Sequence, residues 1–273
     1  MRGNPRVTGV LPIALGSMTK IIGVVTHSKK AYVCIMQLHK DTDISNLKSV
    51  LREFQGIIYQ RPPIRSHVKR TLRKKIIYRI DLNEVVDRKV LLTIESEAGT
   101  YMRKLCWDIG LVLGTGAHMR ELRRIKTGPF SEEKSLVTMY DISEAIYELR
   151  EKGKENLIRK VIIPGEFSVC SLPKVILRDS AVESIAHGSP LAIPGISYYS
   201  ENLRKNDIVA MLTLKGELIG IGKSLMSSEE IKKQEKGLAV QPFRIVLEKG
   251  LYPREWKSSG KFKKGDGSAG GGI

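Results

Sequence analysis

The chain has 273 residues, 41% of them hydrophobic and 27% charged, which is enough for one large domain or two ordinary ones with proper cores. Lys and Arg number 46 against 29 Asp and Glu, a formal net charge of +17. That excess calls for a polyanionic partner, because each cation that meets a phosphate releases condensed counterions. The absence of any run of about 18 apolar residues excludes a spanning helix in this sequence.

In chain order, residues 10–15 follow Met1 and Arg2 as a signal-peptide core would, but the stretch is short and contains Pro12. It reads as folded core, and the protein as cytoplasmic. Residues 20–130 alternate strand-like and helix-like patterns. The run 31–38 predicts a buried strand, and 43–54 predicts a helix with Ile44, Leu47, Val50, Leu51 and Phe54 on one face. Residues 90–96 predict another strand, and 101–113 a helix that stops at Gly114-Thr115-Gly116. Residues 135–161 are helical, with Ile142, Ala145, Ile146 and Leu149 as the apolar face, and Ile163-Pro164-Gly165 reads as a linker. Beyond it come short alternating strands: 175–177, 207–214, a hairpin turn at Lys215-Gly216, then 218–221. These predict a small β-barrel-like domain over about 171–250. Residues 257–273, rich in Gly, Ser and Lys, predict a disordered basic tail.

The densest basic segment, 61–75, holds seven Lys or Arg (Arg61, Arg65, Lys69, Arg70, Arg73, Lys74, Lys75) and no acid. Such a run positions a phosphate backbone without reading its sequence. Pro62 and Pro63 hold its entry extended. A second set, Arg120, Arg123, Arg124 and Lys126, follows Gly116 on a segment that reads as a helix. Spacings of three and four then put Arg120, Arg123 and Arg124 on one side, for phosphate contact or plain solvation. Aromatic residues are only 6% of the chain, too few for a broad stacking platform. Tyr32 alone is placed suggestively, after Lys29 and Lys30 at the start of the predicted buried strand. There it is either a core ring or a platform for an extruded base.

Neither metal nor cofactor is expected. His27, His39, His67, His118 and His187 lack ligand spacing with Cys or acids. Residues 110–116 lack the Lys and preceding strand of a P-loop. Cys34, Cys106 and Cys170 form no C-x-x-C pair and read as small buried apolar residues in a reducing compartment.

Several segments taken in order narrow the function. They are Asn4-Pro5-Arg6-Val7-Thr8-Gly9-Val10-Leu11-Pro12, Lys30-Ala31-Tyr32, Gln60-Arg61-Pro62-Pro63 and Glu97-Ala98-Gly99-Thr100-Tyr101-Met102-Arg103-Lys104-Leu105. They continue with Gly116-Ala117-His118-Met119-Arg120-Glu121-Leu122-Arg123-Arg124, Thr127-Gly128-Pro129-Phe130 and Leu251-Tyr252-Pro253-Arg254-Glu255-Trp256. Together they resemble the TruB-type pseudouridine synthases, in particular the archaeal relatives of dyskerin found in H/ACA ribonucleoproteins. The resemblance implies an α/β (α+β) catalytic domain over 1–165, followed by a PUA domain over 171–250. It implies RNA-guided isomerisation of uridine to pseudouridine in rRNA, with tRNA as a further substrate, without metal or organic cofactor; a stand-alone tRNA pseudouridine synthase is a weaker alternative. The implied partners are an H/ACA guide RNA, the substrate RNA and small accessory proteins. Tyr32 resembles the tyrosine that stacks on the target base, and Arg103 the arginine that pairs with the catalytic carboxylate. Arg61, Arg65, Lys69, Arg70, Arg73, Lys74, Arg120, Arg123 and Arg124 would line the RNA path.

The chain departs from the family at one place. Asn4 stands where the catalytic aspartate of a Gly-Thr-Leu-Asp signature is expected, preceded by Met1-Arg2-Gly3. An amide is neither nucleophile nor base of comparable strength. Two accounts are open: a chain that begins late, or a paralogue that binds RNA without catalysis. The first is favoured, because the basic surface, Tyr32 and Arg103 are all kept.

Overall fold

The computed structural model describes residues 7–62, 69 and 71–253, and divides between Ser171 and Leu172 into two compact units. Asn4, Arg65, Arg70 and the tail 257–273 lie outside the described residues.

The first unit runs β1 (Val7–Gly9), α1 (Ile22–His27), β2 (Lys30–Leu38), α2 (Ile44–Glu53), β3 (Gly56–Gln60) and β4 (Arg73–Val86). It continues with β5 (Lys89–Ser96), α3 (Met102–Val112), β6 (Ala117–Thr127), β7 (Phe130–Ser131), α4 (Glu132–Ser135), α5 (Met139–Lys152) and α6 (Ile158–Val161). One sheet in the order β1-β6-β2-β5-β4-β3 organises it, with β7 paired to β6. β1 runs parallel to β6, and the other neighbours along that order are antiparallel. The core lies where this sheet meets two helices. Alternate residues Cys34, Met36 and Leu38 of β2, with Leu92 and Ile94 of β5, meet Leu47 and Leu51 of α2 and Leu105, Cys106 and Ile109 of α3. Full burial of one such Leu or Ile contributes about 1.5–3 kcal/mol, so this face holds the unit together. Asp43 starts α2 by accepting from the backbone N–H groups of Ser45 (3.1 Å) and Asn46 (3.4 Å). Gly110 lets α3 lie directly on the start of β6, since a Cβ there would stand 2.2 Å from the backbone nitrogen of Ala117.

The second unit runs β8 (Lys174–Leu177), α7 (Asp179–Ala186), β9 (Leu191–Ala192), β10 (Ile196–Tyr199), β11 (Ile208–Leu212), β12 (Leu218–Ser224), α8 (Ser228–Lys233) and β13 (Leu238–Ile245). Its strands pair in the order β10-β8-β11-β12-β13-β9 around a core of Val175, Leu177, Val182, Ile185, Val209, Met211, Ile219 and Val240. The predicted turn at Lys215-Gly216 links β11 to β12, with Gly216 at φ +85°.

Four expectations need correction. Arg120, Arg123 and Arg124 lie on a strand, β6, and not on a helix. Its bulges break the period of two that marks a strand, and so imitate helical spacing. Of residues 10–15 only Val10 is core; Leu11, Ile13 and Leu15 are exposed. Cys34 and Cys106 are buried as expected, but Cys170 is exposed. The α5 face buries Ala145 fully, while Ile146 and Leu149 remain 37% exposed. No helix among the described residues is long and apolar enough to cross a membrane.

Candidate RNA-modifying site

Tyr32 sits on β2 two residues before Cys34, so period-two alternation turns its ring to the core face of the sheet. It is half-buried, packed against the edge of that core. Opposite it stands Arg124 of β6. Lys30 pairs with Thr127 and Ala31 with Lys126, so a regular ladder would set Ile125 across from Tyr32. A register shift between Ala31 and Tyr32 passes over Ile125 and brings Arg124 there instead. Directly opposed residues share a face, so the bulge delivers a guanidinium to the phenol. Burial pushes the Tyr32 hydroxyl above its ordinary pKa, and the charge and hydrogen bond of Arg124 pull it back.

Two further cations stand close by. Lys30, two residues before Tyr32, donates from Nζ to the carbonyls of Thr26 (2.8 Å) and Ser28 (3.0 Å). Its pKa is lowered by burial first, then by the charges of Arg124 and Lys75. Lys75 of β4 donates to Glu97 Oε1 (3.2 Å) and to the Ala98 carbonyl (2.6 Å). Ser96 and Thr127 flank Lys30 on the neighbouring strands, and their buried hydroxyls have no hydrogen-bond partner among the described residues. The result is a half-buried ring opposed by Arg124, with Lys30 and Lys75 adding positive charge around that arginine; among the described residues, only Lys75 of the three is ion-paired with a carboxylate.

The loop after β5 turns through Gly99 at φ +76° and enters α3 at Tyr101. Gln60, 2% exposed, grips that entry: its Nε2 donates to the Tyr101 carbonyl (3.3 Å) and its Oε1 accepts from the Tyr101 N–H (3.0 Å). Arg103 follows on the exposed side of the first helical turn and pairs with none of the described residues.

The other basic candidates divide. Arg61 ends the path out of β3, Arg73 and Lys74 open β4, and Lys69 lies between, exposed. Arg73 Nη2 donates to the Lys69 carbonyl (3.3 Å). This group sits on the outermost hairpin of the sheet beside the exposed Tyr59, whose cross-strand neighbour is Lys74. The three arginines of β6 do not form one surface. Arg120 reaches Gln37 (3.4 Å), Arg123 is ion-paired with Glu132, and Arg124 faces Tyr32.

Sequence reasoning had Lys75 in its basic run but gave no site role to Lys30 or Gln60. Lys30 was within reach, because it shares the alternation of Tyr32. Gln60 and the Arg124–Tyr32 pair depend on long-range register and leave no local signal. Among the described residues, no group of three His, Cys, Asp or Glu could hold a metal.

Comparison with known proteins identifies the domains. Residues 4–102 match the N-terminal domain of the TruB family pseudouridylate synthases, and 103–169 match the tRNA pseudouridylate synthase B C-terminal domain. Residues 173–246 match the PUA domain. A probable tRNA pseudouridine synthase B from Sulfurisphaera tokodaii is 49% identical over 94% of this chain and 76% of its own length. One from Methanosarcina barkeri is also 49% identical, over 93% of this chain and 75% of its own. In the crystal structure of a Cbf5-Nop10-Gar1 complex, one chain matches with TM-score 0.85 and 43% identity, covering 93% of this chain and 75% of that one. A chain from an H/ACA RNP bound to a substrate RNA containing 2'-deoxyuridine matches with TM-score 0.86 and 41% identity, covering 93% and 77%. The chain thus spans about three quarters of these relatives. It belongs to the TruB family of pseudouridine synthases, with a TruB catalytic domain followed by a PUA domain.

Proposed function

We propose that this chain is the catalytic-type subunit of an RNA-guided pseudouridine synthase acting on rRNA or tRNA, with a guide RNA and small accessory proteins as partners. One observation carries the reading: a half-buried Tyr32 opposed by Arg124, with Lys30 and Lys75 charging the same neighbourhood, in a fold shared with a chain of a substrate-bound H/ACA RNP. A uridine turned out of its helix would stack on Tyr32, while cations nearby hold its phosphates. The reaction breaks the bond from the sugar to N1 of the base and remakes it to C5; the C5 proton leaves and N1 regains one. No electrons are exchanged, so no redox partner is required.

The family's carboxylate would stand at position 4, and Arg103, unpaired with any described residue, is the cation proposed to hold it ionised. Asn4 has no carboxylate to offer, and such a loss lowers turnover by about 10⁴-fold. The chain as written is therefore expected to bind RNA and isomerise it very slowly. Reconstitution with guide RNA and accessory proteins, scoring pseudouridine in a complementary substrate, tests this. Activity should emerge with Asn4→Asp, alone or with Gly-Thr-Leu placed ahead of it. A second reading, a non-catalytic scaffold of the same particle, is favoured by Asn4 itself. It predicts tight RNA binding and no isomerisation in either variant.

A further inference from the structure

We propose that Arg124 is a positioning residue for the reaction: it clamps the strand that follows position 4 to Tyr32, so that one side chain sets the spacing between the two. The inference rests on the reading of Tyr32 as the ring that receives the base. Its basis is how β1 is held: through its ladder with β6, one long side-chain bond from Arg123 to Thr8 (3.5 Å), and Arg124. All three β1 residues are exposed, and of residues 7–15 only Val10 enters the core. Arg124 grips this segment twice. Its backbone carbonyl accepts from the Val10 N–H (2.8 Å), and its side-chain Nε donates to the Val10 carbonyl (2.8 Å). The approach is so close that only glycine fits before Val10: a Cβ on Gly9 would lie 2.2 Å from the Arg124 carbonyl oxygen.

The same residue stands directly across the ladder from Tyr32, where the bulge at Ile125 has brought it. A planar fork can direct Nε at one acceptor and a terminal nitrogen at another. A lysine has one nitrogen and cannot hold both in fixed geometry. Arg120 reaches Gln37, and Arg123 pairs with Glu132 and touches Thr8 of β1 at 3.5 Å; of the three, only Arg124 both bonds the Val10 carbonyl and stands across from Tyr32. Were Arg124 a plain RNA cation, neither the Val10 contact nor the bulge would have a purpose in the site.

Two readouts test the clamp, and the first needs no catalysis. In the full chain with 3-fluorotyrosine at position 32, Arg124→Met should move the ¹⁹F resonance and raise its titration midpoint, while Arg123→Met leaves both in place. An unmoved resonance in the Arg124 variant would overturn the proposal. The second uses the Asn4→Asp chain with guide RNA. Arg124→Lys keeps the charge and most of the volume, and should lower kcat by about 10–100-fold with RNA affinity and melting temperature unchanged, as a misplaced reactive group does. Adding Tyr32→Phe to Arg124→Lys should cost less than the two single losses combined, because both break one contact. Full additivity, or a fall in affinity with kcat intact, contradicts the clamp. Failure of Asn4→Asp to isomerise would instead defeat the functional reading and leave the fluorine test to decide this one.

Discussion

At the residue scale the site is made by register. Tyr32, the proposed stacking ring, drew notice in the sequence, since a lone aromatic after two lysines at a strand start is unusual in a chain so poor in aromatics. Its partner did not. Arg124 lies far along the chain and meets Tyr32 only because a bulge passes over Ile125, and no local pattern announces that. Arg103 was identified from the motif around it, and the structure adds that Gln60 fixes the helix entry just before it. Gly9 gives the sharpest test at this scale. It adopts φ +109° and faces the Arg124 carbonyl, so Gly9→Ala meets both backbone strain and a steric clash. Denaturant unfolding should show the first unit destabilised by about 1–3 kcal/mol, with the second unit unchanged. Unaltered stability would mean that β1 does not approach β6 so closely.

At the scale of elements, α2, α3, β2 and β5 were readable because each keeps a clean period and ends on recognisable signals. α2 has Asp43 at its start, and α3 stops before Gly114 at φ +73°. β6 was misread as a helix because its bulges shift alternate arginines out of phase. β4 went unpredicted because its first turn of residues, Arg73 to Lys75, is hidden in the basic run. Residues 11–15 were taken for core on hydrophobicity alone, yet Leu11, Ile13 and Leu15 face outward.

The helix caps carry a pH dependence. Asp43, Asp141 and Glu230 each have a pKa held below the ordinary carboxylate value, chiefly by a side-chain hydrogen bond to Ser45 or Thr138, or by the Ser227 backbone N–H. A depressed folded pKa stabilises the fold above the unfolded value of about 4, and that stability is lost as pH falls through the folded value. Thermal melts should therefore hold steady from neutral pH down to about 5 and fall below about 4, and Asp43→Asn should flatten the acid limb. An identical acid limb in that variant would remove Asp43 from the account.

For the whole molecule, the charge of +17 and the cations on the outer hairpin together demand salt-sensitive RNA binding. The logarithm of affinity should fall linearly with the logarithm of salt. Alanine at any one of Arg61, Lys69, Arg73 or Lys74 should reduce that slope by about 0.7–0.9. A slope indifferent to all four would place the RNA elsewhere. The two-unit division was readable from the change to short strands after Ile163-Pro164-Gly165, and the β-barrel-like reading of the later segment agrees with its PUA match. Composition alone, however, stops at a basic nucleic-acid binder. The reaction became legible only through the ordered motifs.

The central claim is that a guide RNA chooses the uridine and this chain supplies the site. The direct measurement takes the Asn4→Asp chain with its accessory proteins and one substrate RNA containing two uridines, each addressed by a different guide. Pseudouridine should appear at the addressed uridine and move to the other when the guide is exchanged. Modification of the same uridine under both guides, or without any guide, would contradict the account.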